Sequence, residues 1–279
     1  MDSKTYGEAL YWASSFLTER KKEREAAEYL MMRRLDWKKT ELVMELRKPM
    51  PVEVREQFEK DIYEFALDKP AQYIIGHEYF YGEKFKVTGD TLIPRPETEE
   101  LVALILRENE EKEHLTVVDV GTGTGVIAIT LKRLKPSWQV IAVDVSEEAL
   151  KVAKENAASQ GLDIDFRLGD LLEPVKDEQV DLIVSNPPYI SENEWDEMDE
   201  SVRKYEPKTA LFAENEGLDF YERFVREIPR VLAVDGRVYF EYGYKQGRAI
   251  QQMYQAAFPT KKILVHKDLS GHDRMLEMK

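Results

Sequence analysis

The sequence predicts an α/β protein, a doubly wound and mainly parallel sheet of seven strands preceded by a bundle of helices. Three observations carry that expectation. Residues 3 to about 70 hold apolar side chains at helical spacing and no strand-like alternation. After Pro70 the pattern changes to a hairpin followed by a proline-rich segment. From Leu115 onward, short apolar runs alternate with amphipathic stretches, the sequence form of repeated strand–helix units.

The elements follow in order. Residues 8–20 carry Leu10, Ala13, Phe16 and Leu17, and residues 26–35 carry Tyr29, Leu30, Met32 and Leu35, each set on one helical face. Residues 38–47 continue the pattern with Leu42, Val43 and Leu46. Pro51 suits the first turn of a helix presenting Val54, Phe58, Ile62 and Phe65. Residues 79–82 and 85–87 form the hairpin, and a helix is expected over 98–107 with Thr98 as its cap. Strands are expected at 116–120, 139–143, 164–168, 180–184, 237–242, 262–266 and 273–278. Helices are expected to about 135 and at 147–160, 218–232 and 246–258. The resulting domains are 1–75 (helical), 76–97 (hairpin and linker) and 98–279 (α/β).

Composition narrows the function. The 279 residues include no cysteine, which excludes disulfides, thiolate metal sites and cysteine nucleophiles. A formal net charge of −14 opposes non-specific attraction to nucleic acid or anionic membrane. The first residues lack a basic region followed by an apolar core, and no apolar run is long enough to cross a bilayer. A cytoplasmic protein with no direct nucleic-acid or membrane partner is expected. The four histidines, at 77, 114, 266 and 272, lack ligand spacing, so no metal is assigned.

Two motifs carry chemistry. The first is Asn186-Pro187-Pro188-Tyr189, delivered by the apolar run 180–184. Consecutive prolines cannot continue a strand, and each restrains the residue before it. The corner therefore presents an amide side chain, the carbonyl of Pro187 and an aromatic ring, none of which titrates near neutrality. Such groups suit holding a planar nitrogen. The second motif is Asp119-x-Gly121-Thr122-Gly123-Thr124-Gly125, a strand, a glycine turn and a helix start. Val126 stands where a dinucleotide fingerprint requires glycine, and no Gly-Lys-Ser/Thr follows to make a P-loop. An acid two residues before the first glycine suits a cationic ligand that has no phosphate. S-adenosylmethionine, with its sulfonium and ammonium, is such a ligand. Asp144 ends the next strand, where it can accept from two ribose hydroxyls, and Asp170, beside Leu171, ends the third, where it can accept from the adenine amino group.

These residues resemble the class I S-adenosylmethionine-dependent methyltransferases, whose sheet is Rossmann-like and seven-stranded. Within them the sequence is similar to the release factor glutamine methyltransferases over nearly its whole length. The resemblance rests on the helical N-terminal domain, Ile93-Pro-Arg-Pro-Glu-Thr-Glu99, the glycine turn, Asp144, Asp170, Asn186–Tyr189 and Asp268-Leu-Ser-Gly-His-Asp-Arg274. Leu171 departs from it, since many relatives carry an aromatic residue there. The resemblance implies methyl transfer from S-adenosylmethionine, leaving S-adenosylhomocysteine, to the glutamine amide of the Gly-Gly-Gln tripeptide of release factors. Asn186, Pro187 and Tyr189 would act on that amide and Pro188 would line its site. Asp119, Gly121, Thr122, Gly123, Thr124, Gly125, Asp144, Asp170, Leu171 and Asn186 would hold the cofactor. The alternatives are a ribosomal-protein glutamine methyltransferase, a nucleic-acid amino methyltransferase acting on a flipped base, and a non-catalytic cofactor-binding scaffold.

Overall fold

The computed structural model describes residues 4–279. The chain divides into two compact units, one ending at His77 and also containing Asp199–Tyr205, the other comprising Glu78–Met198 and Glu206–Lys279.

The first unit is helical: α1 (Tyr6–Glu19), α2 (Ala26–Leu35), α3 (Lys39–Glu45), α4 (Val52–Ala66) and the short α5 (Ala71–Ile75). Thr5 and Glu8 close a capping box at the start of α1, each side chain satisfying the other's backbone N–H. Pro51 stands at the N-cap of α4, one residue before the expected first turn. The core gathers Leu17, Leu30, Leu42, Phe58 and Ile62 from four helices. Inside it, Arg34 makes a fork to Asp61, Nε to Oδ2 at 2.8 Å and Nη2 to Oδ1 at 2.7 Å, and Nη2 also reaches the Ile74 carbonyl at 2.9 Å. The inserted segment 199–205, which contains α9 (Glu200–Tyr205), is the feature the sequence did not reveal. Tyr205 Oη and Lys204 Nζ both donate to the carbonyl of Leu67, at 2.8 and 3.0 Å, and so satisfy an orphan acceptor at the end of α4.

The second unit opens on the hairpin β1 (His77–Phe80) and β2 (Glu83–Lys86), then α6 (Pro96–Glu108). The α/β order follows: β3 (Thr116–Val120), α7 (Val126–Leu134), β4 (Gln139–Asp144), α8 (Glu147–Ser159), β5 (Asp165–Leu168) and β6 (Val180–Ser185). After α9 come the single turn α10 (Glu214–Gly217), α11 (Asp219–Val231), β7 (Leu232–Glu241), α12 (Gly247–Ala257), β8 (Ile263–Lys267) and β9 (Asp273–Met278). The strand order is β5-β4-β3-β6-β7-β9-β8, parallel except that β9 runs antiparallel to both neighbours.

Both faces of the sheet are covered, so its strands are apolar on both sides. Val117, Leu182, Val184 and Tyr239 face one core, while Val118, Val120, Ile183 and Phe240 face the other. The order reverses between β3 and β6, the switch point at which open parallel sheets bind ligands beyond their carboxyl ends. Val120 pairs with both Val143 and Ser185, and Ser185 with Phe240. The residues following these partners (Gly121, Asp144, Asn186 and Glu241) therefore emerge at one edge.

Candidate active site

A pocket lies at that edge, wholly within the second unit, and its lining includes Gly121, Gly123, Asp144, Leu171, Asn186 and Phe220. The glycine turn divides into two jobs. Gly121 (φ +72°) and Gly123 (φ +55°) line the pocket, and a Cβ built on either meets nothing within 4 Å. A side chain there would project into ligand space. Gly125 (φ +83°) does not line the pocket. A Cβ there would lie 2.8 Å from Ile129 Cδ1 and 3.2 Å from Ala153 Cβ, so this glycine permits α7 to pack on α8. The absence of a side chain at this position is therefore required by packing. Thr122 and Thr124 are both buried and both line the pocket.

The three strand-end acids occupy different positions. Asp119 is fully buried beneath the loop and does not line the pocket; its Oδ2 accepts from Thr122 Oγ1 at 2.6 Å and from the Ala128 N–H at 3.2 Å. Its Oδ1 has no partner, and burial pushes its pKa up to about 7. Asp144 lines the pocket and accepts the N–H groups of Gly123 at 2.8 Å and Ser146 at 2.9 Å, one on each oxygen. Burial raises its pKa and those N–H groups oppose the rise. Each oxygen keeps a further lone pair for a ligand hydroxyl. Asp170 lines the pocket but is exposed, and its carboxylate pairs with Arg223. Leu171 holds a left-handed φ of 45° and also lines the pocket.

Position 171 carries no ring, but an aromatic side chain reaches the pocket from another element. Phe220, in the first turn of α11, lines the pocket, and the Arg223 guanidinium lies 5.7 Å from its ring centroid. Only the i, i+3 spacing of Phe220 and Arg223 hinted at this in the sequence, because residues fifty positions apart meet here through the fold.

At the far side stands the Asn-Pro-Pro-Tyr corner. Asn186 and Pro188 line the pocket; Pro187 is buried behind them, outside the lining. Tyr189 is half-buried, also outside the lining, and burial pushes its phenol well above the ordinary range. Its carbonyl accepts from Gln246 Nε2 at 2.7 Å, while Gln246 Oε1 accepts from the Gly243 N–H at 3.0 Å. Gly217 (φ +82°) leaves room for that carbonyl, which a Cβ there would approach to 2.1 Å. Asn186 Nδ2 donates to Thr98 Oγ1 at 3.1 Å, and Thr98 Oγ1 donates to Glu241 Oε2 at 2.8 Å. Thr98 is therefore no cap. It lies within the first turn of α6, whose N-cap is Arg95, and its hydroxyl is spent on Glu241. Arg95, held by flanking prolines, pairs with buried Glu206 at 2.6 Å.

The corner and the glycine turn together match known proteins. Residues 99–203 match the Methyltransferase small domain and residues 8–76 the PrmC N-terminal domain. The chain is 52% identical, over 98% of both chains, to the release factor glutamine methyltransferase of Enterococcus faecalis. The chain belongs to the release factor glutamine methyltransferase family. A second member, from Bacillus subtilis, is 44% identical over 98% of this chain and 97% of its own. A methyltransferase structure from Pyrococcus furiosus shares the fold, at 16% identity and a TM-score of 0.52 over 71% of this chain and 89% of that one.

A methyltransferase of this family requires a methyl donor, and the pocket fits S-adenosylmethionine. Two bare glycines line a space edged by Asp144, with the ring of Phe220 on its wall and the orphaned carboxylate oxygen of Asp119 buried beneath the glycine turn. Nothing in the lining is basic enough for a pyrophosphate except Arg95, which Glu206 neutralises. Among the described residues, no group of three or more histidine, aspartate or glutamate side chains is placed to hold a metal, and no helix is long and apolar enough to cross a membrane.

Proposed function

We propose that this enzyme methylates the side-chain amide nitrogen of glutamine in the Gly-Gly-Gln tripeptide of peptide chain release factors, in the cytoplasm. The observation that carries this reading is the orientation of Asn186, whose amide hydrogens go to Thr98 while the side chain lines the pocket.

An amide nitrogen is a poor nucleophile because its lone pair is delocalised, as the peptide rotation barrier of roughly 18–20 kcal/mol shows. Bound S-adenosylmethionine supplies an electrophilic methyl on a sulfonium. Asn186 Oδ1 and the Pro187 carbonyl accept from the two N–H groups of the substrate amide and turn its lone pair out of conjugation. Both contacts strengthen as positive charge grows on nitrogen, so they favour the transition state over the ground state. Tyr189, neutral and clamped through its backbone by Gln246, offers a flat face against the amide plane. The alkylated nitrogen is acidic enough to lose its proton to water. Positioning supplies the rest. Gly121, Gly123 and Asp144 would hold the cofactor, with Asp119 tying the loop from below and Asp170, Leu171 and Phe220 available to its adenine.

The test is mass spectrometry of digested release factor after incubation with the enzyme and S-adenosylmethionine. One added methyl on the tripeptide glutamine is expected. Label appearing instead in a ribosomal protein, DNA or RNA would replace the assigned substrate by one of those.

A further inference from the structure

An asparagine carboxamide has two nearly isosteric orientations, and only one serves the reaction. If Asn186 turned its NH2 towards the substrate, donor would face donor and the substrate N–H would lose its acceptor. Something must therefore fix the flip, and neither proline can do so.

The surroundings of Asn186 are polar on one side only. The pairing of Ser185 with Phe240 brings Asn186 and Glu241 to the same level at the ends of adjacent parallel strands. Thr98 enters from the first turn of α6. Thr98 is 3% exposed and Glu241 1%, so neither contact competes with bulk water. Glu241 Oε2 accepts the Thr98 hydroxyl proton at 2.8 Å. A hydroxyl has one proton to give, so the same oxygen can only accept from Asn186, and it does so at 3.1 Å. The direction of the chain is thereby determined, carboxylate to hydroxyl to amide NH2. Burial pushes the Glu241 pKa up to about 7, while the Thr98 hydroxyl, Arg274 on the neighbouring β9 and the Asn186 amide oppose the rise; the chain runs in this direction when Glu241 is ionised and accepts the Thr98 proton.

We propose that Thr98 and Glu241 are positioning residues for Asn186, holding its carboxamide in the single orientation that offers Oδ1 to the substrate amide. The inference rests on the methyl-transfer reading for Asn186. It extends that reading to two residues outside the Asn-Pro-Pro-Tyr motif, on different elements. Neither touches the reacting atoms. Their effect is on the probability that Asn186 is correctly turned, so it belongs in turnover and not in affinity.

Thr98→Val keeps the shape and removes the hydroxyl. Single-turnover methyl transfer to intact release factor should slow roughly tenfold to a hundredfold, the scale of losing one transition-state acceptor. The KM for release factor and the Kd for S-adenosylhomocysteine should change far less than turnover, since Thr98 lines the pocket wall and valine keeps its shape there. Thr98→Ser, which restores the hydroxyl, should recover most of the rate. A Thr98→Val enzyme of wild-type turnover, or a Thr98→Ser enzyme as slow as Thr98→Val, overturns the proposal. A second measurement is independent of turnover: in the full-length protein with S-adenosylhomocysteine, the Asn186 side-chain NH2 protons should show NMR cross-relaxation to the Thr98 methyl group. Protons close to the bound ligand instead would refute the assigned orientation. If wild-type enzyme failed to methylate release factor, the substrate reading would fall, while the NMR result would still decide how Asn186 is held.

Discussion

Asn186 and Asp119 set different demands on the same site. Removing the Asn186 carboxamide takes away an acceptor that matters only as the amide becomes cationic. Asn186→Ala should therefore lower turnover by about a hundredfold or more, while affinity for S-adenosylhomocysteine should suffer much less. Stopped single-turnover assays and calorimetric titration separate the two effects, and a near wild-type rate would remove Asn186 from the chemistry. Asp119 bears on stability. Its folded pKa, pushed by burial to about 7, lies above the ordinary value of 3.8, so the native state holds a proton that the unfolded chain releases. That stabilisation is complete below about pH 4 and is lost as pH rises through 7, with a slope approaching about 1.4 kcal/mol per pH unit inside the window. Glu241, also at about 7, contributes in the same direction. Urea unfolding between pH 5 and 8 should show stability falling, and Asp119→Asn should flatten the fall.

At the scale of elements, the glycine turn and the helical bundle make separable predictions. Gly125→Ala places a Cβ against Ile129 and Ala153 at positive φ. It should cost about 2–3 kcal/mol of stability, combining left-handed strain with overpacking. Gly123→Ala (φ +55°) meets open space and carries only the left-handed strain of about 1–2 kcal/mol, so it should lose less stability than Gly125→Ala and lose cofactor affinity as well. Thermal melts with and without S-adenosylhomocysteine distinguish these outcomes: equal losses of melting temperature in the two variants would contradict the division of labour. In the bundle, Asp61 is 1% exposed and accepts both arms of the Arg34 fork as well as Gln57. Asp61→Ala strands a half-buried guanidinium and should destabilise the first unit by about 3 kcal/mol, measurable as an earlier unfolding transition.

For the whole molecule, every residue lining the pocket belongs to the second unit. A chain lacking residues 1–77 should therefore bind S-adenosylhomocysteine with nearly unchanged affinity. It should methylate intact release factor poorly, mainly through a raised KM, because a bare tripeptide offers too small a surface for selective binding. The same deletion removes the Leu67 carbonyl that holds Tyr205 and Lys204, so segment 199–205 would become a protease-sensitive site. Unchanged KM in the truncated enzyme would assign recognition to the second unit.

The sequence alone determined the class of fold, the strand ends and the kind of chemistry. β3 and β9 begin and end where the apolar runs do, and α2 matches its periodic stretch, because local pattern and buried face agree in these elements. The failed dinucleotide match and the Asn-Pro-Pro-Tyr corner were legible because proline and glycine act on the backbone locally, whatever surrounds them. Tertiary structure decided which groups meet. Thr98 reads as a helix cap until the fold brings it to Glu241, 143 residues further along the chain, beside Asn186. Leu171 reads as a missing aromatic contact until α11 supplies Phe220. Gly125 reads only as part of the glycine turn until α8, packed against it, adds a steric demand for the missing side chain. Segment 199–205 has no expected element in the sequence, and in the fold it forms α9, whose Lys204 and Tyr205 donate to the Leu67 carbonyl. In each case the partner is distant in sequence, and no local periodicity records it.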